Sequence, residues 1–453
     1  MGFDVFRERM EKAGLPPLAI TTFAHHYAQL VSGESGLIRE SELEPAADVP
    51  DLEQLPKELA EIGRAALDRC VMIKLNGGLG TSMGLERAKS LLKVKSGLSF
   101  LDVIARHALS THVRLVLMNS FSTQSDSLAA LAGYSGLGEG PLDFLQHRVP
   151  KVNAADLEPI DWPENPALEW NPPGHGDLYT ALQTSGMLDA LLAEGRDLAF
   201  VSNADNLGAS IDPRLVGYLA SEGMPLLMEV ADRTPADRKG GHLARSPSGR
   251  LLLREAAQCA EDDLDAFQDT VRYRYFNTNN VWLDLRAIRE ALDERDGVLE
   301  LPLIRNEKPV DPRAPDSPRV FQLETAMGSA IALLPRAAAV RVPRSRFAPV
   351  KTTDDLLAVR SDANVLTDDF RVVPDPRRAG RPVLVELDRR YFAHADQLDA
   401  RFASGAPSLV NCKRFSVRGD ISFGVGVEVV GDVRLEHDGV GRLRIEDGSV
   451  LTG

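Results

Sequence analysis

Positive charge is scarce in this chain of 453 residues: 52 Lys and Arg stand against 66 Asp and Glu, for a net charge of −14. Such a surface repels polyanions, which argues against a general binder of nucleic acid or of anionic membrane. Cysteine is also scarce. Cys70, Cys259 and Cys412 lie far apart with no Cys-x-x-Cys pair, which suits a reducing compartment and no structural zinc. Long apolar runs are missing: none approaches the roughly 18 residues of a membrane-spanning helix, and the opening Met1 to Arg9 has no apolar signal core. A cytoplasmic protein is expected. The composition, 43% hydrophobic and 26% charged, still supports a sizeable core, and the length points to two or three domains. An anionic ligand would have to be met by locally gathered cations and backbone N–H groups.

The densest signal runs from Val71 to Ser90. It opens as an apolar run, Val71 to Leu75, then places Gly77, Gly78, Gly80 and Gly84 within eight residues and ends on Arg87 and Lys89. A strand that hands over to such a loop has the form of a phosphate cradle. Glycine reaches positive φ cheaply, and without a Cβ it lets backbone N–H groups approach an anion. Neither common phosphate signature fits. A Walker-type loop needs Lys straight after its last Gly, where this chain has Leu85; in a dinucleotide fingerprint the third Gly comes one position earlier than Gly84.

From Val71 to about residue 362, strand-like runs alternate with helical stretches. The runs are Val71 to Leu75, Arg114 to Met118, Leu198 to Ser202, Pro225 to Val230 and Val281 to Leu285; the helix expected over Asp177 to Glu194 gathers Leu178, Ala181, Leu182, Leu188, Leu191 and Leu192 on one face. This alternation predicts an α/β fold, a mainly parallel Rossmann-like sheet covered on both faces, with ligands beyond the carboxyl ends of its strands. Residues 1–65 read as a helical segment in which His25 and His26 are packing residues, and Glu42 to Leu55, with two prolines, as a wrap. Residues 66–362 read as the domain of this sheet, 363–412 as a connection and 413–453 as a C-terminal domain. There, apolar residues recur every six positions in two registers: Phe415, Ile421, Val427, Val433 and Val417, Phe423, Val429, Leu435. That period fits the coils of a parallel β-helix, with an antiparallel meander as the alternative.

Three further segments carry chemistry. Asp205 follows the run Leu198 to Ser202 and is flanked by Asn203 and Asn206; a lone carboxylate at a strand's carboxyl end suits magnesium, although Asp is also a common turn former. Pro172-Pro-Gly-His-Gly-Asp177 displays His175 on an irregular loop, with Gly174 open to a flat base or a phosphate. Phe276-Asn-Thr-Asn-Asn280 precedes a strand, and its amides, as donors and acceptors, suit sugar hydroxyls.

These motifs together resemble the eukaryotic-type UTP–glucose-1-phosphate uridylyltransferase family, through Lys74-Leu-Asn-Gly-Gly-Leu-Gly-Thr81, the His175 and Asn277 segments, Met118-Asn-Ser-Phe-Ser-Thr123, Phe144-Leu-Gln-His-Arg148, Lys239-Gly-Gly241, Gln322-Leu-Glu-Thr325 and Val342 to Lys351. The likeness spans nearly the whole chain. One departure is Ala88, where the family usually carries proline before the loop lysine. The resemblance implies a nucleotidyltransferase sheet with a small C-terminal left-handed parallel β-helix that serves as a contact surface for self-association. It implies UTP and glucose 1-phosphate as substrates and Mg2+ as cofactor, held by Asp205. Lys89, Asp205 and Lys351 become the catalytic groups. Leu75, Asn76, Gly77, Gly78, Gly80, Thr81, Gln146, Gly174 and Asn203 become nucleotide contacts, with Gln146 on the uracil edge. His175, Glu255, Asn277, Thr278 and Asn279 become contacts to the sugar phosphate. A pyrophosphorylase for galactose or N-acetylhexosamine phosphates, or a silent nucleotide-sugar binder, are the alternatives.

Overall fold

The computed structural model describes residues 2–453. Its centre is a ten-stranded mixed sheet. Leu198–Asn203, Cys70–Asn76, Arg114–Asn119 and Asp143–Leu145 run parallel, side by side. Tyr275–Asp284 crosses the middle antiparallel to both Leu198–Asn203 and Leu226–Asp232, and Leu226–Asp232 pairs in parallel with Ala338–Arg341. The expected large, mainly parallel sheet is present with this antiparallel strand inserted. Its insertion brings the start of Tyr275–Asp284 to the edge where Asn76, Asn119 and Asn203 end.

Side chains alternate across the sheet as a strand's two-residue period requires. Val71 and Ile73 face a core with Leu178, Leu182, Leu188 and Leu191; Cys70 and Met72 face another with Leu115, Phe200, Leu215 and Trp282. The helix expected over 177–194 is two, Leu178–Thr184 and Met187–Ala193, because Gly186 adopts φ 75° and turns the chain between them. The residues of its apolar face still reach the core, from two axes instead of one.

At the N-terminus, helices Phe3–Lys12 and Pro17–Val31 bury Phe6, Phe23 and Tyr27 against Val149, Val152 and Leu323. The following wrap adds the short strand Glu44–Pro45 to the sheet, and helix Leu59–Ala65 lies on helix Pro213–Glu222. They touch so closely that a Cβ on Gly63 would stand 1.7 Å from the Pro213 carbonyl oxygen.

Toward the C-terminus, Leu384–Leu387, Cys412–Arg418, Glu428–Glu436 and Val450–Thr452 pair in parallel, as do Ile421–Phe423 and Leu443–Ile445. Phe415 is opposite Val433 and Val417 opposite Leu435, three six-residue periods apart, so the two apolar registers stack on themselves. An antiparallel meander is excluded by this register. The stack starts at Leu384, inside 363–412, and shares one core with Met83, Val94, Phe100 and Val350. No helix among the described residues is long and apolar enough to cross a membrane.

Candidate active site

All four parallel strands of the Cys70–Asn76 group end at one edge, and the glycine loop leaves it. Gly80 and Gly84 adopt φ 69° and 72°, the left-handed region that favours glycine. Lys89 N–H donates to the Gly78 carbonyl at 3.1 Å, which folds the loop back on itself. A Cβ on Gly80 would meet Leu85 Cδ1 at 2.9 Å, and one on Gly77 would meet Gln146 Nε2 at 2.7 Å. Gln146 therefore lies directly against Gly77, while Gly78 has open space. Thr81 is exposed in the turn Thr81–Met83. Asn76 points elsewhere: its Nδ2 donates to Asn119 Oδ1 at 2.7 Å and Ser127 Oγ at 2.8 Å, pinning the strand end instead of facing the loop. Leu75 contributes its carbonyl, which accepts from Ala204 N–H at 3.0 Å.

That last bond sets Asp205 beside the loop. Lys89 Nζ and Lys351 Nζ both donate to Asp205 Oδ2, at 2.7 and 3.0 Å. Val350 N–H donates to the Asp205 carbonyl at 3.1 Å, so Lys351 arrives on a segment tied to the carboxylate's own backbone. Burial raises the Asp205 pKa, but the two ammonium groups outweigh it and hold the carboxyl below its ordinary value. Asp205 Oδ1 is buried without a partner. No group of three or more His, Cys, Asp or Glu is placed to hold a metal among the described residues.

The asparagine cluster lies within strand Tyr275–Asp284, not ahead of it, because a bulge opposite Glu229 and Val230 absorbs it. Asn279 takes φ 60°, and its Nδ2 donates to Asn203 Oδ1 at 2.8 Å. Its Oδ1 is buried and unpartnered. Asn277 Oδ1 accepts from Asn279 N–H at 2.9 Å. Thr278 is not brought to this face: it is 1% exposed and its hydroxyl donates to the Glu229 carbonyl at 2.7 Å. Glu255 packs on Gly241, where a Cβ would stand 2.4 Å from its Oε2; burial raises its pKa, against a hydrogen bond from Asn277.

His175 Nδ1 accepts from Met327 N–H at 3.0 Å. Burial, and then the charge of Lys351, push its pKa down to about 4, so the ring is neutral with its proton on Nε2. Gly174 has φ 79°, and a Cβ there would lie 2.4 Å from the Thr325 carbonyl oxygen, so the glycine admits the chain just beyond strand Arg319–Glu324. Asp177, from the same motif, receives His147 N–H at 2.6 Å and faces His147 Nδ1 at 2.8 Å, anchoring the residue next to Gln146.

With this geometry in hand, the comparisons are specific. The family model for UTP–glucose-1-phosphate uridylyltransferase matches residues 20–429. The barley (Hordeum vulgare) enzyme of that name is 38% identical over 97% of this chain and 92% of its own. The chain belongs to this family. The Saccharomyces cerevisiae member is 37% identical over 88% of this chain and 79% of its own. A point mutant of UDP-glucose pyrophosphorylase from Leishmania major superposes with a TM-score of 0.93 at 44% identity, covering 100% of this chain and 97% of that one. Another mutant of the Leishmania enzyme, solved in complex with UDP-glucose, gives 0.91 at 44% identity, covering 100% and 98%.

Against this uridylyltransferase background, Ala88 sits at φ −51° and ψ 125°, an angle that proline also adopts. The backbone keeps the conformation without the ring. Three neighbours of the site gain a structural role that the sequence did not assign them. Asn206 Oδ1 accepts from Gly208 N–H at 3.1 Å and Ala348 N–H at 2.9 Å, joining the Asp205 and Lys351 segments. Its place beside Asp205 was the available signal. The Asp177 and His147 pair had none, since the partners lie 30 residues apart. Glu229 and Arg346 form a buried pair at 2.5 and 2.8 Å beneath the site. A lone Glu in the otherwise apolar Leu226-Leu-Met-Glu-Val230 marks that one.

Proposed function

We propose that this chain converts UTP and α-D-glucose 1-phosphate to UDP-glucose and pyrophosphate. The observation that carries this reading is the meeting of Lys89 and Lys351 on Asp205 at the mouth of the glycine loop. Family membership supports it. The sugar phosphate oxygen attacks the α-phosphorus of UTP in line, and pyrophosphate leaves from the opposite side. The attacking oxygen is already an anion, so no protein nucleophile is required. The obstacle is repulsion between two anions, and positioning with charge neutralisation removes it.

In this reading Lys89 leaves Asp205 to join the loop N–H groups on the β- and γ-phosphates, while Lys351 turns to the α-phosphate. Gln146 reads the uracil edge above Gly77. Neutral His175 donates from Nε2 to the sugar phosphate, and Asn277, Asn279 and Glu255 take hexose hydroxyls. Magnesium fits Asp205, because its unpartnered Oδ1 suits an ion that keeps its waters and takes other ligands from phosphates. When bound, the ion supplies charge neutralisation between the reacting phosphates.

The same reading takes residues 413–453 as a left-handed parallel β-helix and a surface for homo-oligomers, beside units at 1–65, 66–362 and 363–412. It places the enzyme in the cytoplasm. The test is pyrophosphate release from UTP with a panel of sugar 1-phosphates, with and without chelator. Turnover is expected with glucose 1-phosphate and loss of it with chelator. Preference for galactose or N-acetylhexosamine phosphate would overturn the substrate, and full activity in chelator would overturn the metal.

A further inference from the structure

We infer that Lys74 is a positioning residue for the Asp205 loop, tying both ends of segment 202–209 to the strand that feeds the glycine loop; the inference rests on the role proposed for Asp205. Lys74 lies in Cys70–Asn76 on the face of Cys70 and Met72, where the alternation calls for a hydrophobe. It is 1% exposed. Its Nζ donates to Ser202 Oγ at 2.7 Å and to the Ala209 carbonyl at 3.0 Å, both uncharged. Between these anchors lie Asn203, Asp205 and Asn206, which hold Asn279, the two site lysines and the Ala348 backbone respectively. One side chain thus closes the loop that carries the carboxylate and registers it against the glycine loop's own strand.

The position is a costly one for an amine. The Phe200 ring, 5.5 Å away, offers the only cation–π contact to Lys74 among the described residues. Burial, and then repulsion from Arg346, push its pKa down to about 7, with Glu229 pulling weakly the other way. A buried amine without an ionic partner destabilises a fold relative to an apolar side chain of the same length. Its use is therefore sought in the loop it holds, not in stability.

Lys74→Met keeps the side chain as far as Cε and removes the ammonium group that makes both hydrogen bonds. Expected are an unfolding temperature equal to or above wild type, a kcat at least tenfold lower, and KM values for UTP and glucose 1-phosphate within threefold, since Gln146, His175, Asn277 and Glu255 lie outside segment 202–209. Ser202→Ala, which removes one anchor, is expected to lower kcat two- to fivefold and keeps the test open should Lys74→Met fail to fold. A Lys74→Met enzyme with kcat within twofold of wild type overturns the inference. So does a loss of kcat matched by a lower unfolding temperature and a proportionate rise in KM, the pattern of a purely structural residue. If Lys74→Met does not fold, an unchanged kcat in Ser202→Ala overturns it. Asp205→Ala is measured alongside: if it stays active, the Asp205 role fails and takes this inference with it, whereas an inactive Asp205→Ala beside a normal Lys74→Met removes the inference alone.

Discussion

At the rim of the site, Lys89 and Lys351 share Asp205 with side chains 14% and 57% exposed; one layer below, Arg346 grips Glu229 at 8% and 0%. Both are clusters of opposite charge at the same sheet edge, yet they are built for different ends. The rim pairs use one oxygen and leave Asp205 Oδ1 unpartnered, and Lys351 is open to solvent and to an incoming phosphate. The lower pair is bidentate, and Glu229 also receives Asn280 Nδ2 at 3.0 Å and Trp282 Nε1 at 2.8 Å, so its oxygens are filled by fixed donors. Partners that must exchange are held singly at the surface. Partners that must never exchange are saturated and dry.

The sharpest way to break this contrast is Glu229→Gln. It leaves the Arg346 guanidinium buried without its counter-charge, and a loss of about 3–5 kcal/mol of stability is expected in denaturant unfolding. Wild-type stability would show that the lower layer is no firmer than the rim. Lys89→Ala should do the reverse: a fall in kcat of about 10²–10³, near 3 kcal/mol of transition-state stabilisation, with folding stability changed by less than about 1 kcal/mol. If its unfolding midpoint drops as far as that of Glu229→Gln, the distinction between the layers is lost.

Acid probes the buried histidines of the fold as a whole. His26, His107 and His175 are pushed down to about 4 and His242 to about 3, in each case chiefly by burial. Between pH 6.5 and 4 the unfolded chain therefore binds protons that the folded chain refuses. Stability should fall as pH drops through that window, by on the order of 1–3 kcal/mol for each histidine. Unfolding midpoints at pH 7 and pH 5 check this, and equal midpoints would contradict it. Since His175 remains neutral down to about 4, kcat should show no inflection near pH 6.5 from this residue. The smallest effect is expected from Ala88→Pro. The φ of −51° accepts proline, and the entropic gain is offset by loss of the N–H that faces Asp126, so stability should rise by no more than about 1 kcal/mol.

How much could be read beforehand differs between segments for physical reasons. The strand–glycine–lysine order of 71–89 was legible because the contacts are local: Lys89 N–H reaches Gly78 across eleven residues. The six-residue repeat of 415–435 was legible because identical spacing on successive turns buries the same positions. The packing of Gly174 and Thr278 was not. Both depend on segments distant in sequence, Thr325 for the first and Glu229 for the second. The break at Gly186 also escaped, because apolar spacing survives a change of helix axis.

Periodicity, glycine spacing and the position of Asp205 after an apolar run were enough to establish an α/β phosphate-handling chain, since each reflects bonding between near neighbours. Which side chains of a motif brace the protein was settled by packing between segments from about forty to more than a hundred residues apart. Lys74 and Lys89 show the difference. Both belong to one short motif, but strand alternation sends the first into the dry core and the loop's return carries the second to Asp205.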